Sequence, residues 1–281
     1  MMEHLVRVRQ QCLNFCVQVA ISSSKMSHVS GDHSLNINNV DNATPKLPPI
    51  VAKLTLAIHV STAVISLSLA FLLFDSSLFS WHPLFMSIGY ILFMSEGVVS
   101  SIMFRHLDGP VRVRAIWTHA VMQARALICV ALGFAVIYQN KIIGHKLHFK
   151  STHSKFGVAT LLMTVLSPLM GVVSFKRLGI ITKFPEKWHS FIKFLHRRVG
   201  LITWLLAMIT IQLALPHPTV KRTLLTPLWQ IGITVLTFLL MMLSSRSQIK
   251  LKDDGDRKHS SREVDLDSSN LTHHQQLSKA L

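Results

Sequence analysis

Long apolar stretches alternate with short polar segments through the middle of the chain. Six stretches are long enough to form a helix across a bilayer, which takes roughly 17 to 25 residues. They cover residues 50–74, 82–104, 115–138, 151–175, 199–215 and 224–243. Because these runs are about twice as long as the strands of a transmembrane barrel, the pattern predicts a bundle of membrane-spanning helices.

Polar sequence flanks the apolar region on both sides. The composition predicts an N-terminal tail over residues 1–49, a six-helix transmembrane domain over 50–243 and a disordered, Ser-rich and charged C-terminal tail over 244–281. The expected fold class is therefore all-α: an integral membrane bundle of six transmembrane helices with disordered cytosolic tails. An even number of crossings places both ends of the chain on the same side.

The charge of the chain is strongly positive, +16 at pH 7, while only 15% of its residues are charged. We expect no nucleic-acid partner, because the basic residues lie between apolar spans and accompany no nucleic-acid motif. They indicate orientation instead, since short cytoplasmic loops are enriched in Lys and Arg. The segments on the side of the termini contain Arg105, Arg112, Arg114, Lys176, Arg177, Lys183, Lys187, Lys193, Arg197, Arg198, Arg246, Lys250 and Lys252. The opposite segments contain only Lys141, Lys146, Lys150, Lys155, Lys221 and Arg222, so both termini are expected in the cytosol.

Four histidines stand at the starts of four successive apolar stretches. They are His82, His119, His153 and His196, separated by 37, 34 and 43 residues. Each interval corresponds to one membrane crossing and a loop, so consecutive histidines fall on alternating sides. His82 and His153 are therefore expected at one depth on the non-cytoplasmic side, and His119 and His196 at another depth on the cytoplasmic side.

Two imidazoles at matched depth suit an iron porphyrin that is held from both faces. Glycines one turn after two of the histidines, Gly157 and Gly200, leave room beside them for a flat ring. With both axial positions filled, such a haem exchanges electrons and does not readily bind oxygen. The spacing therefore predicts electron transfer across the membrane between two haem levels.

Two charged residues inside the spans need partners, because unpaired charges are costly in a bilayer. Glu96 follows His82 by 14 residues, close to four helical turns, and is expected near the cytoplasmic cofactor. Arg125 follows His119 by six residues and is expected to meet either a haem propionate or Glu96. His59, in the first span, matches no pair and is interpreted as a core residue or a support for a neighbouring group.

The segment 77–86, Ser-Leu-Phe-Ser-Trp-His-Pro-Leu-Phe-Met, resembles the entry to helix two in the cytochrome b-561 family, specifically in its short two-haem branch. Glu96 falls where that family has a glutamate in helix two, and the His-x3-Gly pattern of helices four and five is also similar. The resemblance covers roughly residues 50–243. The chain departs from it in its longer termini, in Arg125 and in extra residues between His153 and His196.

The resemblance implies two b-type haems per chain, one between His82 and His153 and one between His119 and His196. It further implies an ascorbate-dependent oxidoreductase in which cytosolic ascorbate gives electrons to the cytoplasmic haem, while monodehydroascorbate or a ferric chelate accepts them on the far side. No catalytic residue is assigned beyond these ligands.

An anionic donor is expected to bind where cations surround the cytoplasmic haem. The candidates for ascorbate or haem propionates are Arg112, Arg114, Lys193, Arg197 and Arg198. On the opposite face, His148 is the candidate for the acceptor, because the resembling branch also has a histidine at this position.

Two alternatives stay open at this point. A polytopic metal-ion transporter would use the intramembrane histidines to bind its cargo, and should have acidic ligands beside them. A haem-bearing anchor subunit would pass electrons to a soluble redox partner. The expected location is the endoplasmic reticulum or a vesicle membrane, with the lipid bilayer as the surrounding partner, and a homodimer is also possible.

Overall fold

Within a computed structural model of the chain, residues 49–103, 109–221 and 224–246 are described. They contain six helices that are long and apolar enough to cross a membrane, and no β-strand lies within these ranges. The predicted all-α transmembrane bundle is thereby confirmed. The proposed tails lie outside the described residues, except for Pro49, the first residue of the first helix, and residues 244–246, which belong to the last helix.

The six long helices follow each other through short connections. They are α1 (Pro49–Leu72), α2 (Trp81–Met103), α3 (Gly109–Ile143), α4 (Thr152–Ser174), α5 (Glu186–Ala214) and α6 (Thr226–Arg246). Single 3-10 turns, Lys176–Leu178 and Ile181–Lys183, precede α5, and one short turn, Pro218–Lys221, follows it. Short connections make consecutive helices antiparallel neighbours.

The fifth helix starts at Glu186, well before the apolar stretch that was expected from residue 199. Its first three turns contain charged residues among the exposed aromatic side chains of Trp188, Phe191 and Phe194. Because of these charges, hydropathy alone did not assign the turns to the span. As a result His196 is the eleventh residue of α5, and His119 is likewise the eleventh residue of α3. His82 and His153 are the second residues of α2 and α4.

The second helix contains a π-helical segment, Ser87–Met94, between two α-helical parts. Its wider turns are stabilised by side chains: the Ser95 hydroxyl donates to the Tyr90 carbonyl at 3.3 Å and accepts from Trp204 Nε1 at 2.8 Å. The Tyr90 hydroxyl is 3.1 Å from Thr164 Oγ1. Segments of π-helix are rare and are often found at functional sites.

Helix α2 lies at the centre of the bundle. In the most apolar 18-residue window of α2, 67% of the residues are buried inside the bundle. In the corresponding window of each other span the buried share is 33% or less. Helix α1 packs on the π-helical segment, α3 packs along the whole of α2, and α4 packs closely on α5. The outer helices expose leucine, isoleucine and phenylalanine side chains, as expected for surfaces in contact with lipid.

Candidate functional site

The four histidines come together as two separate pairs. The ring centres of His82 and His153 are 6.2 Å apart and their planes make an angle of 76°. The ring centres of His119 and His196 are 6.4 Å apart, at 78°. The structure thus brings together the same two pairs that the alternation of the spans predicts.

The separation within each pair suits a metal between the two rings. A metal bonded to one nitrogen of each imidazole, at about 2 Å per bond, holds the ring centres about 6 Å apart. Two imidazoles that were hydrogen-bonded directly to each other would have their centres at about 5 Å. Both pairs have the wider spacing.

At the first level, each histidine is held by a backbone carbonyl of another helix. Nδ1 of His82 donates to the Gly133 oxygen on α3 at 3.0 Å, and Nδ1 of His153 donates to the Thr210 oxygen on α5 at 2.9 Å. A carbonyl oxygen can only accept, so Nδ1 must have the proton in both rings. The lone pair therefore lies on Nε2.

The second level repeats this arrangement. Nδ1 of His119 donates to the Gly97 oxygen on α2 at 2.7 Å, and Nδ1 of His196 donates to the Ser167 oxygen on α4 at 3.2 Å. All four rings are consequently fixed in the tautomer whose Nε2 can bind a metal. Metal-binding histidines usually donate their other N–H in this way, which fixes the ring and raises its basicity.

The anchoring is reciprocal within each pair of helices. Helices α2 and α3 hold each other's histidine, and so do α4 and α5. The anchors Gly133, Thr210 and Ser167 each follow a histidine of their own helix by 14 residues, and Gly97 follows His82 by 15. Fourteen residues of helix rise by about 21 Å, so the two levels are about that far apart. The additional residue in α2 coincides with its π-helical segment.

A cavity of about 560 Å³ surrounds the first pair, His82 and His153. This volume lies in the range of cofactor sites, and its walls are mainly apolar. Gly157 lies in the wall, and a Cβ atom added there would approach Thr210 Cγ2 only to 3.9 Å. A flat and largely apolar macrocycle, held by an imidazole on each face, would fit this set of residues.

Near the second pair, the glycine that touches a histidine is Gly171, which the sequence did not single out. A Cβ atom added at Gly171 would lie 3.1 Å from Cε1 of His196, whereas at Gly200 the nearest atom is Ser167 Oγ at 3.5 Å. Gly171 is one helical turn after Ser167 in α4. The sequence gives no signal for Gly171, because the role of the Ser167 carbonyl as an anchor is visible only in the structure.

Glu96 is hydrogen-bonded to α1. Its carboxylate is 2.6 Å from Nδ1 of His59 and accepts from the Thr62 hydroxyl at 2.7 Å. Because Glu96 directly precedes Gly97, it lies near the level of His119. This contact agrees with the interpretation of His59 as a support for a neighbouring group. The sequence did not identify Glu96 as its partner, because the spacing within one span gives no register between α1 and α2. Arg125 is half-buried on α3.

The basic candidates lie on the outer turns of α3 and α5, at the end of the bundle nearer to His119 and His196. All five are exposed: Arg112, Arg114, Lys193, Arg197 and Arg198. Arg198 lies over the ring of Phe194, with 5.0 Å between its Cζ atom and the ring centre. His148, at the opposite end, lines the cavity and packs against Tyr138 with 4.6 Å between ring centres.

Among the described residues, no group of three or more His, Cys, Asp or Glu side chains is arranged to hold a metal ion. The acidic side chains that the transporter alternative calls for do not accompany His82, His119, His153 or His196 in such a group within the described part of the chain. Cys129 is half-buried on α3, while Cys12 and Cys16 lie outside the described residues.

Comparison with known proteins gives one family and several relatives. A family model described as eukaryotic cytochrome b561 matches residues 81–220, which include all four histidines. The chain is 30% identical over 144 residues to a mouse protein named probable transmembrane reductase CYB561D1, a match that covers 50% of this chain and 60% of that protein. It is 29% identical over 175 residues to mouse transmembrane reductase CYB561D2, covering 59% of this chain and 75% of that protein. The human protein of the latter name is 28% identical over the same shares.

Proposed function

Because the chain belongs to the cytochrome b561 family, we propose that it is a transmembrane reductase that takes electrons from cytosolic ascorbate and delivers them to monodehydroascorbate or a ferric chelate on the other side. Relatives that are named transmembrane reductases support the general activity. The substrates are suggested by the charge distribution and by the resemblance of the sequence to the two-haem branch.

The proposed cofactors are two b-type haems: His82 and His153 would hold one of them, and His119 and His196 would hold the other. The observation that carries this proposal is the common tautomer: four Nδ1–H groups donate to four backbone carbonyls at 2.7–3.2 Å. When bound, the two haems supply one-electron exchange between the levels.

The residues around the histidines have two roles. Backbone carbonyls hold the rings in place, so the ligands need little rearrangement when an iron changes its charge. Buried apolar side chains of α2, including Ile91 and Phe93 between the levels, exclude water from the middle of the bundle.

The donor site is proposed at the end of the bundle where α3 and α5 begin. Its exposed cations, Arg112, Arg114, Lys193, Arg197 and Arg198, attract an anion such as ascorbate. The abundance of Lys and Arg supports a cytosolic position for this end. The acceptor site is proposed at the opposite end, beside His148, which lines the cavity of the first pair.

A reduced-minus-oxidised absorption spectrum of the purified protein tests this function. We expect a b-type spectrum with two haems per chain, and loss of one haem on His82→Ala and of the other on His119→Ala. His189→Ala is the matched control, because His189 is on α5 but bonds only locally, to the Phe184 carbonyl at 2.9 Å. A preparation without haem contradicts the proposal and favours a metal-ion transporter.

Reduction by ascorbate separates the reductase from a haem-bearing anchor subunit. A reductase is reduced by ascorbate alone, whereas an anchor subunit requires its soluble partner. If ascorbate leaves both haems oxidised, the proposed donor is wrong even where the haems are present.

A further inference from the structure

The basic side chains of the first cavity are gathered at one end. Besides His82 and His153, its lining includes Lys141, His148 and His217, and no Asp or Glu is among the described lining residues. All three belong to the ends of helices or to loops on the side where α2 and α4 begin. The cavity thus has one lysine and two imidazoles at one end, while its walls elsewhere are mainly apolar.

Local contacts hold two of these side chains, Lys141 and His217, at this end of the cavity. Lys141 is in the last turn of α3, and its Nζ donates to the Leu147 carbonyl at 3.3 Å in the loop that follows. His217 follows α5, and its ring stacks on Phe79 with 5.6 Å between ring centres. The third side chain, His148, packs against the ring of Tyr138.

The inner end of the cavity offers no comparable group. Its walls there include Val130 and Leu161. The hydroxyls of Tyr90 and Thr160 are bonded to other side chains, at 3.1 Å to Thr164 and 2.8 Å to Thr210. A carboxylate directed inward would remain uncompensated, which is costly in a buried apolar site.

A b-type haem has two carboxylate groups on one edge and apolar substituents on the other edges. We infer that Lys141 and His217 bind these carboxylates, so that the haem between His82 and His153 has its carboxylate edge toward the loops and its apolar edge toward the interior. This inference rests on the proposed function, because it requires a haem at this level. It assigns a binding role to two residues that the family resemblance does not mark.

The reduction potential of this haem provides the test. In the full-length protein, Lys141→Met removes a positive charge beside the carboxylates, which favours the oxidised, more positive iron. We expect a lower midpoint potential for the haem of His82 and His153, of the order of a tenfold change in its reduction equilibrium, about 59 mV for one electron. The potential of the haem of His119 and His196 should not change.

Lys155→Met is the matched control, because Lys155 is an exposed lysine of α4 on the same side and lies outside the cavity lining. Lys141→Arg keeps the charge and should keep the wild-type potential. His217→Phe retains the stacking on Phe79 without the nitrogen, and should release haem from this level more readily.

Unchanged potentials in Lys141→Met, or an equal shift in Lys155→Met, would overturn the inference. These outcomes differ from failure of the proposed function: a protein with two haems and unshifted potentials contradicts only the roles of Lys141 and His217. A protein without a haem at the first level contradicts both.

Discussion

The carbonyl oxygen of Gly97 lies 2.7 Å from Nδ1 of His119, the shortest of the four bonds that hold the histidines. Close approach of α2 and α3 makes this bond possible. A Cβ atom at Gly97 would come within 2.5 Å of Nε2 of Gln123, a side chain that also donates to the Met94 carbonyl at 3.4 Å. Glycine at position 97 therefore leaves room for the Gln123 side chain between α2 and α3, beside the anchor of His119.

Replacing this glycine should disturb the second level selectively. In Gly97→Val the new side chain displaces Gln123 and moves α2 away from His119, at a cost of about 1–3 kcal/mol for overpacking. We expect partial loss of the haem of His119 and His196, with the haem of the first level retained. Haem content and thermal unfolding check this, with the exposed Ala135→Val of α3 as control. Equal loss of both haems would contradict it.

Gly171 provides a second, independent test of the same level. Gly171→Ala places a methyl group 3.1 Å from the His196 ring, so the ring must tilt, whereas Gly200→Ala makes an ordinary contact of 3.5 Å with Ser167. We expect a changed low-spin ferric spectrum for one haem in Gly171→Ala and a smaller change in Gly200→Ala. The reverse order would show that Gly200 is the glycine that matters, as the sequence pattern alone suggested.

The contact between α1 and α2 depends on the Glu96 carboxylate. In Glu96→Ala, His59 and Thr62 lose a shared acceptor inside the bundle, and a lost partner of this kind costs about 1–3 kcal/mol. We expect a lower thermal midpoint than for Glu186→Ala, which removes an exposed carboxylate at the start of α5. Glu96→Gln should be milder, because the amide oxygen still accepts one hydrogen bond. Identical midpoints for the two alanine variants would refute a structural role of this contact.

Removing cations from the outer turns of α5 should weaken the attraction of ascorbate to the proposed donor site, while the haem content stays the same. For Lys193→Gln combined with Arg197→Gln, we expect ascorbate reduction to slow several-fold at low ionic strength and the difference to shrink at high salt, because exposed charges are screened. Stopped-flow absorbance measures the rate. Lys150→Gln combined with Lys155→Gln makes the same charge change at the opposite end and should leave the rate unaltered. A matching decrease in that control would place the donor elsewhere.

The pairing of the histidines could be predicted because it needs only the order of the spans. A residue at the start of one span and a residue at the start of the span after next share a side, whatever the details of packing. This argument is sufficient for His82 with His153 and for His119 with His196. Membrane thickness then determines the distance between the levels.

The anchors could not be predicted, because each is a backbone carbonyl. Every residue has a backbone carbonyl. The sequence therefore does not show that the carbonyls of Thr210 and Ser167 anchor a histidine while those of neighbouring residues do not. The π-helical segment could not be predicted either. Nearly all residues of Ser87–Met94 are apolar, so the hydrophobic pattern does not reveal a change from an α-helix to a π-helix. The early start of α5 was missed for the opposite reason: its first turns contain charges among their aromatic residues.

Electron paramagnetic resonance of the oxidised protein is the most direct test of ligation by the two pairs. If each pair of histidines holds one haem, ring planes at 76° and 78° to each other predict two strongly anisotropic low-spin ferric signals. His153→Ala should remove one signal and His196→Ala the other, each leaving its counterpart intact. A single low-spin signal in the intact protein, or two signals that persist in both variants, would contradict the account.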